Sequence, residues 1–289
     1  MIATTSRRIA RIRPLSRDSG AEHFFVANDA PDFDSEAGRV WTVINSPFPG
    51  SPANAGSAPR RGWETGDTVE EGSFIFLAPS VPANVLGMAH NTGQAGRDLP
   101  PQAFHKAATS VVGPGDAIEL GPGVGRVDPE AELTIVVGSK VRGLTLSNAR
   151  TAVLGFTIGN DVSARDLQQS DELWISAKSQ DTFTPAGPWI VTGLDGAGLA
   201  IGIKHNGAEL KAASSADLGW GVDEILVYLT SFMTLHPGDL VLTGFPAECA
   251  GLVAGDTVTC HIEGIGQLTN PVVAAPWGQP RPPLPDHTF

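Results

Sequence analysis

The chain has 289 residues and a formal net charge of −12, with 31 acidic side chains against 19 basic ones. This length is sufficient for one large domain with a small appended unit, or for two modest domains. The acidic balance excludes a nucleic-acid surface, which needs a basic stripe, and no apolar run is long enough for a membrane-spanning helix.

The N-terminal region, residues 1–70, is predicted to be a small domain that ends in a linker. Its first twenty residues carry several arginines but no apolar stretch of signal-peptide type, and the two cysteines of the chain lack C-x-x-C spacing, so we expect a cytoplasmic protein with reduced thiols. The segment 46–66 is rich in Pro, Gly, Ser and Ala, which is typical of a linker or long loop that does not pack. Residues 71–289 are predicted to form the second domain.

Short β-type runs recur beyond residue 70 and predict a core rich in strands. They lie at 73–79, 132–138, 153–159, 199–205, 239–244 and 256–264. The runs do not alternate with helices in the manner of a doubly wound sheet. We therefore expect an α+β fold that is mostly β.

Two kinds of glycine-containing dipeptide predict turns. Asn206-Gly207 supplies the two positive-φ positions of a type I′ turn, which predicts a hairpin over 199–213. Gly-Asp pairs stand at 115–116, 238–239 and 255–256, each directly before a β-type run. Because Gly can take a positive φ and Asp can close the turn, these pairs are predicted to be strand entries.

One helix is predicted with an apolar face, at 221–235. The acidic residues of its first turn and the His-Pro-Gly that follows are typical start and stop signals. The apolar face consists of Val222, Ile225, Leu226, Leu229 and Met233. A shorter helix is predicted from an N-cap at Ser147 through 149–152, and the proline-rich tail, 276–289, is predicted to be extended.

Three carboxylates are the candidate metal ligands. Glu130 and Glu132 open a β-type run, and the two-residue period of a strand places both on one face, about 7 Å apart. Asp161 stands at the end of the next run, where sites are commonly built. Such carboxylates repel each other unless a cation lies between them. Hard oxygen ligands without paired Cys or His favour Mg²⁺ or Mn²⁺ over zinc.

A cluster of polar side chains follows within eighteen residues of Asp161. It includes Arg165, Gln168 and Lys178. Arginine and lysine beside a metal can hold a substrate carboxylate and stabilise a developing enolate, while Gln168 can donate to an oxyanion. The spacing therefore predicts that these side chains belong to the same site as the carboxylates.

An ordered set of motifs between about Val85 and Val273 resembles the catalytic domain of the fumarylacetoacetate hydrolase family. The matching stretches, in the family's order, are FHKAATSVVGPGDAI, DPEAELTIVVG, GFTIGNDVSARDLQ, AKSQDTFTPAGPW, the Asn206-Gly207 hairpin, LHPGDLVLTGFP and EGIGQL. The family includes acylpyruvate hydrolases, oxaloacetate decarboxylases, homoprotocatechuate-pathway isomerase/decarboxylases and sugar-acid dehydratases. The resemblance implies a twisted β-roll, usually dimeric, so we expect a homodimer that acts on a small keto acid.

The resemblance also implies roles for individual residues. The implied metal ligands are Glu130, Glu132 and Asp161, and the implied substrate-facing residues are Arg165, Gln168 and Lys178. Thr243 and Gly244 lie in a loop that resembles the family's T-G-T-P and would contact the keto-acid end. Phe245 stands where the family often has Thr, which would make the pocket more apolar, and Lys106 is also predicted to bind the substrate.

One stretch departs from the family's pattern. Hydrolytic members carry G-x-N-Y-x-x-H-x-x-E, whose His and Glu lie on a mobile lid and activate the attacking water. In the aligned stretch, residues 87–96, Gly93 and Gly96 occupy these two positions. Either His90, the preferred candidate, or His105 supplies the base from a nearby position. Alternatively, the reaction is one for which the metal and Lys178 suffice.

These observations leave three hypotheses. The first is a metal-dependent hydrolase or lyase that cleaves a C–C bond in a 2-oxo or 2,4-dioxo acid of the acylpyruvate type. The second is an oxaloacetate-type decarboxylase, an isomerase or a sugar-acid dehydratase on the same metal site, since these reactions need no activated water. The third is a family member that binds a ligand without catalysis.

Overall fold

The computed structural model describes residues 6–15, 22–30, 39–56, 63–245 and 249–276. The strands up to residue 128 are β1 (Arg7–Pro14), β2 (Phe24–Asn28), β3 (Val40–Ile44), β4 (Thr68–Glu70), β5 (Phe74–Phe76), β6 (Val85–Met88), β7 (Ala103–Lys106), β8 (Val111–Val112), β9 (Ile118–Leu120) and β10 (Val127–Asp128). The later strands are β11 (Ala131–Val137), β12 (Val153–Asn160), β13 (Ser163–Ala164), β14 (Thr184–Thr192), β15 (Ala200–His205), β16 (Ala208–Glu209), β17 (Ala213–Ser214), β18 (Leu240–Leu242), β19 (Thr257–Ile262) and β20 (Gly266–Ala274). The α-helices are α1 (Gly93–Asp98), α2 (Arg165–Ser170), α3 (Ile175–Lys178) and α4 (Val222–Phe232).

Within the described residues, twelve strands form one large mixed sheet. Its order is β4-β3-β2-β1-β14-β12-β11-β18-β6-β7, with β5 beside β1 and β8 beside β14. The N-terminal strands join it because β1 pairs antiparallel with β14, with Arg8 opposite Val191. The strands β11 and β12, which contain Glu132 and directly adjoin Glu130 and Asp161, therefore lie near its middle.

A second sheet covers one face of the first. Its order is β16-β15-β19-β20-β9, with β17 beside β15. Side chains alternate along β19, so that Val258 and Cys260 are buried and pack in one cluster with Leu133 and Ile135 of β11. Full burial of such an apolar side chain contributes about 1.5–3 kcal/mol, so the core between the sheets holds the ligand strands in place. The prediction of an α+β fold that is mostly β is confirmed.

The predicted apolar helix is confirmed as α4. Four residues of its predicted face are buried, and Met233 packs against the same cluster just beyond the helix end. The Glu224 carboxylate accepts the Gly221 amide at 3.0 Å, which satisfies one of the free N–H groups at the helix start. No helix in the described parts of the chain has the length and apolar character needed to cross a membrane.

The shorter predicted helix is corrected. Residues Ala149–Ala152 form a single 3-10 turn preceded by Asn148, without a side-chain cap from Ser147. The reason is length, because β12 begins at Val153 and leaves four residues, too few for a stable α-helical segment.

The predicted turns are confirmed. Asn206 and Gly207 have φ values of 51° and 81°, and Lys204 pairs with Glu209 across the hairpin. Each of the three Gly-Asp pairs precedes a strand, and each aspartate accepts the amide of the residue three positions before it. These contacts are Gly113 N to Asp116 at 2.7 Å, His236 N to Asp239 at 2.8 Å and Val253 N to Asp256 at 2.8 Å.

The segment 46–56 packs against the sheet, so the prediction that 46–66 does not pack was wrong for these residues, while 57–62 lie outside the described part of the chain. Phe48 is 2% exposed and its ring lies 5.7 Å from that of Phe25. Asn54 is fully buried and exchanges two hydrogen bonds with the backbone of Val81, at 2.7 and 2.9 Å. One aromatic ring and one amide dock the loop, which its average composition did not reveal. The predicted extended tail, beyond residue 276, lies outside the described residues, and the domain boundary near residue 70 stays a prediction.

The turn before β19 gives a prediction about acid stability. Asp256 accepts hydrogen bonds from Asn206 Nδ2, the Val253 amide and His205 Nε2, each at 2.8 Å, and these lower the pKa of its carboxyl to about 2. Because the folded-state pKa is lowered, this stabilisation is complete above about pH 4 and is lost as the pH falls towards 2. We expect Asp256→Asn to lower the free energy of unfolding at pH 7 by about 1–2 kcal/mol.

The measurement is urea unfolding between pH 2 and 7, with exposed Asp181→Asn as the control. The Asp256→Asn variant should lose less stability between pH 4 and 2 than the wild-type chain. Parallel curves for the two proteins would contradict this assignment.

Candidate active site

The candidate ligands meet where two antiparallel strands start and end. In the pairing of β11 with β12, Ala131 lies opposite Asn160, so residues 130 and 161 are neighbours across the ladder. The Asp161 amide donates to Glu130 O at 2.8 Å, and Asn160 Oδ1 accepts the Glu130 amide at 2.9 Å. The structure thereby brings the carboxylates of Glu130, Glu132 and Asp161 together, with one oxygen of each within 4.8 Å of the others.

Lys178 bridges two of these carboxylates. Its ammonium donates to Glu130 Oε2 at 2.9 Å, to Ser163 Oγ at 2.6 Å and to Asp161 Oδ2. Burial disfavours the charged amine, but Asp161 and Glu130 outweigh burial and raise its pKa. Lys178 is therefore a permanent cation at neutral pH, and the ring of Phe104 covers it at 4.8 Å.

Arg165 holds the outer side of Glu130. Its Nη2 donates to Glu130 Oε1 at 2.8 Å, its Nε to Asp128 Oδ2 at 2.9 Å and its Nη1 to Gln168 Oε1 at 3.0 Å. Burial opposes ionisation of the Glu130 carboxyl, yet Lys178 and Arg165 lower its pKa to about 2. Glu130 is thus a fixed anion whose two oxygens are both held.

Glu132 differs from its neighbours because, among the described residues, no Lys or Arg side chain forms an ion pair with it. It is 3% exposed, and its Oε2 accepts one hydrogen bond, from the Gly244 amide at 2.6 Å. Burial, Asp161 and Glu130 all raise the pKa of this carboxyl well above its ordinary value. A divalent cation among the three carboxylates would relieve this repulsion, and the all-oxygen donor set fits Mg²⁺ or Mn²⁺. The residues present therefore fit the implied metal.

Lys106 lies behind the cluster and does not line the cavity. It is fully buried and donates to Asp161 Oδ1 at 2.6 Å and to Val162 O at 3.3 Å. Burial lowers its pKa, an effect that Asp161 opposes. Both oxygens of Asp161 are thus held by lysines, one from β7 and one from α3. Lys106 holds a candidate ligand, and its predicted contact with the substrate stays a prediction.

A cavity of about 390 Å³ opens over the cluster, a volume suited to a small organic acid. The predicted site residues that line it are His90, Glu130, Glu132, Asp161, Arg165, Gln168, Lys178 and Phe245. Phe104 and Trp174 also line it, with ring centroids 5.6 Å apart, which gives the cavity one charged and one aromatic wall. The Thr243 side chain donates to Leu133 O at 2.8 Å, and Gly244 contacts Glu132 through its amide, so neither lines the cavity.

The stretch that replaces the family's lid pattern contains helix α1. Gly96 packs so closely that a Cβ there would lie 2.4 Å from His90 O, so a glutamate does not fit at this position in the observed conformation. His90 is exposed on the cavity wall, with its ring 5.3 Å from that of Trp174. His105 is exposed on β7 and is not part of the wall.

Several residues of this site were not predicted from the sequence. Asp128 is buried and accepts from both Arg126 Nε and Arg165 Nε, at 2.8 and 2.9 Å. Ser163 Oγ donates to Glu130 Oε2 at 2.8 Å. A signal existed for both, because Asp128 precedes Glu130 by two residues and Ser163 follows Asp161 by two. No local signal marks Asn91, Phe104 or Trp174.

Comparison with known proteins agrees with this geometry. Residues 80–273 match the family model described as fumarylacetoacetate (FAA) hydrolase, C-terminal. The chain belongs to this family. The membership predicted from the sequence is confirmed, and so is the family's fold.

Three relatives of this fumarylacetoacetate hydrolase family chain bear on its chemistry. The crystal structure of a 2-hydroxyhepta-2,4-diene-1,7-dioate isomerase from Mycobacterium marinum superposes with a TM-score of 0.80 at 36% identity, covering 93% of this chain and 99% of that one. A mitochondrial oxaloacetate tautomerase of Bos taurus is 36% identical over 68% of this chain and 69% of its own. A maleylpyruvate hydrolase from Sphingobium sp. SYK-6, in complex with manganese(II) and pyruvate, has a TM-score of 0.65 at 25% identity, covering 72% of this chain and 77% of that one.

Proposed function

We propose that this chain is a divalent-metal-dependent isomerase that interconverts the keto and enol forms of a small 2-oxo acid of the oxaloacetate type. The observation that carries the proposal is a complete charged site without the family's water-activating pair, since Gly93 and Gly96 stand at those positions. The similarity to an isomerase and to an oxaloacetate tautomerase supports it.

Glu130, Glu132 and Asp161 would hold the cation, with Mg²⁺ or Mn²⁺ as the candidates. When bound, it would supply Lewis acidity to the 2-oxo group of the substrate. The manganese(II) ion in the maleylpyruvate hydrolase structure supports Mn²⁺ as a candidate cation. Lys106 and Lys178 keep Asp161 in place on its two sides.

The remaining residues bind and polarise the substrate. Arg165 brings a positive charge to the cavity for the substrate carboxylate. Because Arg165 Nη1 donates to Gln168 Oε1, the amide nitrogen of Gln168 is the group left to donate to a substrate oxygen. Lys178 keeps its proton at neutral pH, and because its three N–H groups donate to Glu130, Asp161 and Ser163, it stabilises negative charge on the enol oxygen through its positive charge. The aromatic wall would receive the rest of the substrate.

The proton balance distinguishes this reaction from hydrolysis. Conversion of keto to enol takes one proton from C3 and returns one to the oxygen on C2, so no water is consumed and no C–C bond breaks. A single base at the cavity wall is sufficient to accept the C3 proton, and the His90 imidazole lies there. The site therefore has what isomerisation requires, whereas hydrolysis adds the need for an activated water.

The deciding experiment compares two substrates in the presence of Mg²⁺ or Mn²⁺. We expect faster equilibration of the enol absorbance of oxaloacetate, without release of pyruvate. Stoichiometric pyruvate from oxaloacetate would instead identify a decarboxylase, and pyruvate from acetylpyruvate would identify a C–C hydrolase. No turnover of a broad keto-acid panel, despite metal binding, would favour a family member that binds without catalysis.

C–C bond hydrolysis of an acylpyruvate is the second candidate, because the position of His90 also allows it to serve as the base of that reaction. This imidazole lies on the cavity wall, where it could activate a water in place of the missing pair. If hydrolysis is the reaction, His90→Ala should lower kcat by about 10²–10⁴-fold without change in metal affinity. Exposed His105→Ala is the matched control. An unchanged kcat in His90→Ala would exclude His90 as the base.

Location and assembly remain proposals of the sequence and the family resemblance. We expect a cytoplasmic homodimer. Size-exclusion chromatography with light scattering would test whether the chain is a dimer. One chain supplies all the charged groups of the proposed site.

A further inference from the structure

Asn91 connects three segments around the cavity. Its side chain is buried, its Nδ2 donates to Thr243 O at 2.7 Å and to Trp220 O at 3.0 Å, and its Oδ1 accepts the Trp220 amide at 2.6 Å. These partners lie 152 and 129 residues away in the chain. A buried amide with three such bonds is fixed in position, because breaking any of them leaves a polar group without a partner.

One peptide group links Asn91 to the carboxylate of Glu132. The carbonyl of Thr243 and the N–H of Gly244 belong to the same planar unit. The carbonyl accepts from Asn91 at 2.7 Å, while the N–H donates to Glu132 Oε2 at 2.6 Å. Because the unit is rigid, the direction of its carbonyl sets the direction of its N–H, and hydrogen bonds at both ends strengthen each other.

Close packing keeps this arrangement in place. Gly244 has a φ of 113°, which favours glycine, and a Cβ there would lie 3.0 Å from Asn91 O and 3.1 Å from Asn91 Cβ. The peptide group and Asn91 are therefore in direct contact, without room for a side chain between them.

We propose that Asn91 is a positioning residue of the active site, which orients the Glu132 carboxylate through the peptide group between Thr243 and Gly244. The inference rests on the proposed role of Glu132 as a metal ligand. Asn91 acts at one remove, in the way that groups behind a ligand set its orientation and basicity. Of the three candidate ligands, Glu132 depends most on Asn91, because among the described residues the Gly244 amide is the donor that holds the Glu132 carboxylate.

Trp220 offers a matched control. Its indole Nε1 donates to Gly96 O and Leu99 O, both at 3.2 Å, and the Arg97 guanidinium stacks 4.0 Å above the ring. Trp220→Phe removes these indole hydrogen bonds and loosens the segment 93–99. Trp220→Phe keeps the backbone N–H and C=O of residue 220 that bond to Asn91. The variant therefore distinguishes an effect of anchoring residues 93–99 from an effect on the orientation of Glu132.

The test measures Mn²⁺ affinity without substrate, with electron paramagnetic resonance as the readout. The proteins compared are the wild-type chain, Asn91→Ala, Asn91→Asp and Trp220→Phe. We expect Asn91→Ala to weaken Mn²⁺ binding by about tenfold. Asn91→Asp has the same shape but sets a carboxylate oxygen against two carbonyls, so it should weaken binding at least as much. Trp220→Phe should stay within about twofold of the wild-type affinity, and melting curves verify that each variant is folded.

Each outcome decides the inference. Wild-type affinity in Asn91→Ala, or in Asn91→Asp if the alanine variant does not fold, would overturn it while leaving the metal site intact. An equal loss in Trp220→Phe would assign the effect to anchoring of residues 93–99 and would also overturn it. No Mn²⁺ binding by the wild-type chain would overturn the metal site and this inference together.

Discussion

Replacing Glu132 by Gln is expected to weaken metal binding strongly while leaving the metal-free fold more stable. We expect the Mn²⁺ dissociation constant to rise by about 100-fold or more and turnover to fall by about 1,000-fold, because a neutral amide is a weaker ligand than a carboxylate. The glutamine can still accept the Gly244 amide that Glu132 accepts at 2.6 Å, so the local hydrogen bond survives.

The free energy of unfolding of Glu132→Gln without metal should rise, whereas its metal affinity falls. Burial and the neighbouring Asp161 and Glu130 raise the pKa of the Glu132 carboxyl in the folded chain. A raised folded-state pKa means that the contribution to stability is complete below the unfolded pKa and is lost as the pH rises, so ionised Glu132 destabilises the metal-free protein at pH 7. Glu132→Gln should therefore raise its free energy of unfolding by about 1 kcal/mol.

Calorimetry of Mn²⁺ binding and urea unfolding without metal measure the two effects. Glu172→Gln is the control, because it removes the same charge from an exposed side chain. Wild-type metal affinity in Glu132→Gln would show that the cation binds elsewhere. Lower stability without metal would show that the carboxylate cluster is not under the repulsion inferred here.

Replacing Lys178 by Met is expected to impair both stability and turnover. The lysine is 2% exposed and donates to Glu130, Asp161 and Ser163, so its removal leaves two carboxylates with one cation fewer. Removing one partner of a buried ion pair lowers the free energy of unfolding by about 3–5 kcal/mol. We expect the free energy of unfolding of the metal-free variant to be lower by about 3 kcal/mol. Turnover should fall by about 1,000-fold, because the enol oxygen loses a nearby positive charge and two carboxylates lose the cation that orients them.

Added Mg²⁺ provides a second readout for Lys178→Met. A divalent cation that binds the folded state stabilises it by mass action, and it also replaces part of the missing positive charge. The melting temperature of the variant should therefore rise more with Mg²⁺ than that of the wild-type chain. Exposed Lys140→Met is the control. An equal response of Lys178→Met and wild type would contradict the proposal that lysine and metal share the same carboxylates.

The sequence determined the local features because their physical causes are local. The turn at Asn206-Gly207 follows from the ability of these residues to adopt positive φ, and the shared face of Glu130 and Glu132 follows from the two-residue period of a strand. The order of the motifs identified the family, and with it the meeting of Asp161 with the two glutamates. Average composition failed for 46–56, since packing of the segment depends on single residues such as Phe48 and Asn54.

Tertiary structure decided the contacts between distant residues. Lys106 reaches Asp161 across 55 residues, and Asn91 reaches the peptide that holds Glu132 across 152. Neither pair has a sequence pattern, because long-range contacts are set by strand pairing and not by local periodicity. The metal site could thus be predicted from its ligands, whereas the groups that hold those ligands in place became visible only when the sheets packed together.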